Sequence, residues 1–139
     1  MNLIESDSVL KIKQFIRSKN FSQYVEAITD VPSSKLIKKF SDWFEMSSIG
    51  NPLLSLDSTY QFLLTTEYLF WWDDCEGYGY LPIDNVKLVE DKDLDGVFAS
   101  AKDDTYGGFI VDDDITVNEK MYFIEDMNEL INYVVSLVL

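Results

Sequence analysis

Val9, Ile12 and Ile16, with Leu10 and Phe15 beside them, recur at helical spacing after the polar run Ser6-Asp7-Ser8. This pattern predicts a first helix capped by one of those three residues and stopped near Asn20. Residues Ser22 to Thr29 allow a short second helix. The clearest helix follows, opened by Pro32 and Ser33. In it Leu36, Ile37, Phe40, Trp43 and Phe44 fall at i, i+1, i+4, i+7 and i+8, a stripe that reads as core. Lys38 and Asp42 form an i,i+4 pair on its wet side, worth only about 0.3 kcal/mol.

Beyond that helix the period changes. Ser47 to Ser58, with Gly50-Asn51-Pro52, reads as the main connector. Tyr60 to Leu64 and Tyr68 to Trp72 are dense in aromatic and aliphatic residues and read as strands. Ser58 and Gln61 also fit a capping box, so one helix across 59–72 stays open. Shorter extended runs are predicted at Tyr78 to Leu81, Val86 to Glu90, Gly96 to Ala99, Phe109 to Val111 and Glu119 to Phe123. Asp95-Gly96 and Gly107-Gly108 supply turns among them. A second strong helix closes the chain, with Asp126 as its cap and Met127, Leu130, Ile131, Val134 and Val138 on one face. That face must be buried against the sheet or against another subunit. The order predicts an α+β fold: N-terminal helices, a central, mainly antiparallel β-sheet and a closing C-terminal helix.

Size and composition agree with a single domain over residues 1–139. A chain of 139 residues buries roughly two-thirds of its unfolded surface, and 47% apolar residues supply the core. Charge narrows the function. Eleven basic side chains face 25 acidic ones, for a net −14, and there is no histidine. A nucleic-acid binder that works through a basic surface is excluded. So is every mechanism with histidine as general base or metal ligand. Cys75 is the single cysteine, which leaves no internal disulfide, no thiolate zinc cluster and no base to activate a thiol. Met1 to Lys19 has no continuous apolar stretch and Ile131 to Leu139 is too short to cross a bilayer. The expectation is a soluble, cytoplasmic protein with no cofactor, no catalytic residues and no membrane contact.

The acidity is localised. Residues 1–46 carry net +1 and residues 47–139 net −15; Asp73 to Asp114 alone holds thirteen carboxylates and three lysines. The sharpest motif within it is Asp91-Lys-Asp93-Leu-Asp95-Gly96. Oxygen ligands at positions 1, 3 and 5 with glycine at 6 begin a calcium loop. Position 12, where a bidentate Glu belongs, is Lys102, and the preceding segment does not read as an entering helix. Asp91, Asp93 and Asp95 are therefore a weak alternative metal site beside the reading as a solvated hairpin turn. Two other clusters, Asp73-Asp74 with Glu76 and Asp112-Asp113-Asp114, are interleaved with Trp71, Trp72, Tyr78, Tyr80, Tyr106 and Phe109. Aromatics anchor protein interfaces, and a negative field steers a positive partner. The expected contact residues are thus Asp73, Asp74, Glu76, Tyr78 and Tyr80, with Asp112, Asp113 and Asp114 as a second patch. Gly77 and Gly79 suggest an exposed loop there, and the nearly neutral N-terminal helices suit scaffolding.

A small, acidic, histidine-free chain of this kind resembles the bacterial immunity proteins, which bind and block a cognate, often basic, nuclease toxin. The layout is also similar to the SUKH immunity fold. The likeness lies in Val31-Pro-Ser-Ser-Lys-Leu-Ile-Lys-Lys-Phe40 among the N-terminal helices and in the closing segment Tyr122-Phe-Ile-Glu-Asp-Met-Asn-Glu-Leu-Ile131. The resemblance implies an inhibitor that occludes the active or substrate-binding surface of a basic nuclease toxin, and it assigns no residue roles. A calcium-dependent or other acidic interaction module and a phage-type nucleic-acid mimic are the alternatives. Monomer and homodimer through the C-terminal helix both stay open.

Overall fold

A computed structural model describes residues 6–73, 77–91, 96–104, 106–111 and 118–138. Among the described residues three α-helices, α1 (Asp7–Lys19), α2 (Ser34–Trp43) and α3 (Lys120–Val138), accompany eight strands. Strands β1 (Ile28–Thr29), β2 (Pro52–Asp57), β3 (Gln61–Thr65), β4 (Tyr68–Asp73) and β5 (Gly77–Pro82) form one antiparallel meander in that order. Strands β6 (Val86–Asp91), β7 (Gly96–Ala101) and β8 (Gly107–Val111) form a second. The fold is α+β, and its strands divide into two antiparallel sheets.

The first two caps follow the sequence chemistry. Ser6 Oγ accepts from Val9 N at 3.2 Å, Ser33 Oγ accepts from Leu36 N at 3.3 Å, and Asn20 ends α1 in the left-handed region. These contacts satisfy amide groups that a helix start leaves without intrahelical partners. Val9, Ile12 and Ile16 are the buried side of α1.

Residues 59–72 are two strands. Thr65 Oγ1 accepts from both Glu67 N (3.1 Å) and Tyr68 N (2.9 Å), which turns the chain back so that Gln61 pairs with Trp72 and Leu64 with Leu69. Gln61 bonds to Asp57 Oδ1 at 2.6 Å and takes no part in a capping box.

Five expectations need correction. The connector at 47–58 contains β2, whose Leu53, Leu54, Ser55 and Leu56 are all buried between the two faces of the sheet. Residues 22–29 hold a 3-10 turn and the short strand β1 in place of a helix; Ile28 pairs with Leu56. Glu119–Phe123 is no strand: Glu119 adopts φ 50° and α3 starts at Lys120. Asp126 therefore lies inside α3 and caps nothing. It accepts from Tyr24 Oη at 2.5 Å and faces Lys19 at 3.5 Å. Finally, Gly77 and Gly79 belong to β5, and Gly79 is buried.

Alternation along β4 separates two hydrophobic clusters. On one side, Phe62, Leu64, Leu69, Trp71 and Leu81 join α1, α3 and the inner residues of β6–β8 in the main core. On the other, Leu63 and Phe70 meet Leu36 and Phe40 of α2. A strand covered on both faces is buried at every position, as β3 is, with only its end residues Gln61 and Thr65 polar. The apolar stripe of α3, from Phe123 to Val134, is buried within the chain, against β6 and α1.

Two contacts fasten the second sheet. Asn128 of α3 accepts from Leu88 N at 2.8 Å and donates to Leu88 O at 2.9 Å, so a side-chain amide closes the outer edge of β6 as a strand would. The Trp71 indole fills the space beside two glycines: a Cβ on Gly108 would lie 2.2 Å from Trp71 Nε1, and one on Gly79 2.6 Å from the ring. Asn128→Ala should cost about 1–3 kcal/mol in chemical denaturation, because both Leu88 groups lose their partner. Gly108→Ala should cost about 1–3 kcal/mol by overpacking. A Gly108→Ala protein as stable as the parent would contradict the fit of Trp71.

Candidate protein-binding face

The site is built on the outer side of β4 and β5. Register places Tyr78 beside Trp72 and Tyr80 beside Phe70, and residues two apart on a strand share a face. Tyr68, Phe70, Trp72, Tyr78 and Tyr80 thus stand together. Helix α2 lies across them: Phe40 stacks on Phe70 at 5.4 Å between ring centroids, and the Phe44 ring meets Tyr80 edge-on at 4.7 Å. Offset and edge-on pairs of this kind contribute about 0.5–1.5 kcal/mol each beyond their buried area.

The helix is too short to cover the whole face. At its C-terminal end Trp43 keeps 41% of its surface exposed and Tyr78 keeps 58%, with their rings 5.0 Å apart. This pair is the solvent-facing end of an aromatic layer whose other rings are half-buried or buried. Tyr80 is half-buried against Phe44 and Tyr68.

One cation enters the layer. Lys39 Nζ lies 3.9 Å from the Trp72 ring centroid and 4.6 Å from that of Trp43. It also donates to Gln61 Oε1 at 2.5 Å, and Gln61 Nε2 donates to Asp57 Oδ1 at 2.6 Å. Burial lowers the Lys39 pKa below the usual lysine value, with the nearby Asp57 carboxylate opposing the shift. Asp42, Glu45 and Asp57 are exposed, and Asp42 pairs with Lys38 at 2.8 Å.

Of the residues expected to make contacts, Tyr78 and Tyr80 share this face. Asp73 ends β4 opposite Gly77, and its side chain lies outside the described residues. Asp74, Glu76, Asp112, Asp113 and Asp114, like Cys75, also lie outside them. Asp91 ends β6 opposite Gly96, and Asp93 and Asp95 fall outside the described residues. The segments on either side of that motif are paired strands, whereas a helix–loop–helix calcium site needs helices there. Among the described residues no three carboxylate or thiol side chains come together as a metal-binding group.

Sequence reasoning missed Trp43 and Lys39. The α2 stripe spans five positions, and its periodicity does not tell which edge residue is left uncovered. Lys39 follows Lys38 and stands four residues before Trp43, a helical i,i+4 spacing legible in the sequence, but its contacts with Trp72 and Gln61 exist only after folding. Helix α2 supplies half of the exposed aromatic pair. Two open grooves lie away from this face. One of about 490 Å³ is lined by Ser6, Asn51, Thr66 and Glu67 among others, and one of about 340 Å³ by Arg17, Asn20, Thr29 and Asp30 among others.

The arrangement offers large, rigid anchor area with carboxylates around it, which is chemistry for binding a protein surface. No helix among the described residues is long and apolar enough to cross a membrane. No family model matches this chain, and no curated protein or solved structure matches it.

Proposed function

We propose that this chain is an acidic, cytoplasmic immunity-type inhibitor. It binds a basic protein of the nuclease-toxin kind and covers that protein's active or substrate-binding surface. The observation that carries the reading is the Trp43–Tyr78 pair, two large aromatics left exposed side by side on a chain of net charge −14. Interface energy concentrates in a few such anchors, with Trp and Tyr prominent among them.

The charge has a separate role. The segment from Asp73 to Asp114 holds net −10, and a field of that sign raises the encounter rate with a cation-rich surface. Self-repulsion in a chain this acidic is relieved when a basic partner neutralises it. The aromatic pair then sets how long the complex lasts, and the carboxylates set how fast it forms. Asp73, Asp74, Glu76 and Asp112 to Asp114 remain the steering groups of this proposal.

The partner to use is a basic nuclease domain that this chain captures from a panel of such domains at low ionic strength. Trp43→Ala and Tyr78→Ala should each weaken its binding by about 2–4 kcal/mol, mostly through faster dissociation. Lys11→Ala and Lys87→Ala, exposed and away from the face, serve as controls with little effect. Wild-type affinity in both aromatic variants, with folding verified by melting temperature, would place the contact elsewhere. Stopped-flow association should slow about tenfold or more as the Debye length falls from about 30 Å to about 3 Å. A rate that ignores salt would remove electrostatic steering.

A further inference from the structure

Lys39 is an expensive way to fill its position. Helix α2 is already held to the sheet by Leu36 and Phe40, both fully buried, and an ammonium taken from water costs free energy that an apolar side chain of similar length does not. Yet the ammonium sits between two indoles from different elements, Trp43 on the helix and Trp72 on the strand, whose rings are 6.2 Å apart and steeply tilted at 64°. Its third direction is taken by Gln61, which Asp57 holds in turn. The cation thus ties the last turn of α2 to β2, β3 and β4 through directional contacts, at the one ring of the helix that packing leaves exposed.

We propose that Lys39 is the positioning residue of the contact face: its ammonium, gripped by Trp72 and Gln61, fixes the Trp43 ring beside Tyr78 and so preforms the surface that the basic partner meets. This rests on the reading of that face as the partner's contact surface. Fixing an anchor before binding removes the cost of ordering it on association. Cation–π attraction suits the task, because it sets the ring's plane as well as its distance. Phe40, which also touches Trp43 edge-on at 6.2 Å, limits the ring from the helix side only.

The test separates geometry from stability. Lys39→Met keeps the length of the stem and removes the cation; Lys39→Arg keeps the cation. Lys39→Met should leave the melting temperature unchanged or raise it, while the near-ultraviolet circular dichroism of the coupled indoles falls and the Trp43 indole N–H resonance shifts. Lys39→Arg should stay close to wild type in both signals. Gln61→Met, which removes the acceptor of Lys39 and the donor to Asp57 but keeps the cation and both indoles, should move the same resonance part of the way and gives a second route should Lys39→Met not fold. Indole signals unmoved in Lys39→Met, or moved equally in Lys39→Arg, overturn the clamp. These readouts use the free protein and do not depend on any partner. With the same captured basic nuclease domain as probe, Lys39→Met should bind about tenfold more weakly. Unchanged affinity in a variant whose indole signals have moved overturns the placement of the contact at Trp43, and with it the proposed function of this face.

Discussion

The packing of Trp71 between two glycines is the contact on which the rest of the molecule depends. Its indole occupies the volume that side chains at Gly79 and Gly108 would need. The bare backbone of β8 can therefore approach β4 and β5 closely enough for the two sheets to share one core. Strand alternation does the rest. With Trp71 turned inward, Trp72 must turn outward, and the register carries Tyr78 and Tyr80 with it. One buried indole in this way decides which aromatics are core and which are surface.

The outward face carries more aromatic surface than a two-layer fold normally leaves in water. Helix α2 resolves most of it, and its ten residues set the limit. Phe40 and Phe44 cover Phe70, and Tyr80 is tucked beneath Phe44. Where the helix ends, Trp43 and Tyr78 are left exposed. A monomeric protein rarely leaves adjacent large aromatics uncovered without a use for them. Lys39 tempers this exposure by setting a charge against the rings, which keeps the patch ordered. The binding reading and the fold therefore meet at one structural fact, the length of α2 relative to the sheet it covers.

Much of the fold was legible in the chain because two periods are clean. The α1 stripe of Val9, Ile12 and Ile16, its Ser6 cap and its Asn20 stop are as the spacing suggests. Strands β6 and β7, on either side of the Asp91-to-Gly96 motif, pair where the extended runs at Val86 to Glu90 and Gly96 to Ala99 are expected. Failure came where a local signal had two meanings. Phe21, Tyr24, Val25 and Ile28 have helical spacing, yet a 3-10 turn and a strand bury the same four residues. Leu53 to Leu56 is buried on both faces, so it shows no alternation, and the Gly50-Asn51-Pro52 turn signal hid it. Tyr122 and Phe123 suggest a strand by composition; only packing of Phe123 against Tyr24 at 5.7 Å shows that the first turn of α3 is needed there. For the site, Tyr78 and Tyr80 could be found from aromatics next to acidic runs. Trp43 and Lys39 could not, because the partners that mark them lie more than twenty residues away, Trp72 and Tyr78 for Trp43 and Gln61 and Trp72 for Lys39.

In the proposed complex the outer face of β4–β5, with the end of α2, meets a basic partner while α1 and α3 stay clear of it. The direct measurement is an amide hydrogen-exchange footprint, taken with and without a basic nuclease domain that binds this chain. Slowed exchange concentrated in β5 and in the last turn of α2, with α1 and α3 unchanged, is the result this account predicts. Protection confined to α1 and α3, with β5 exchanging as in the free protein, would contradict it.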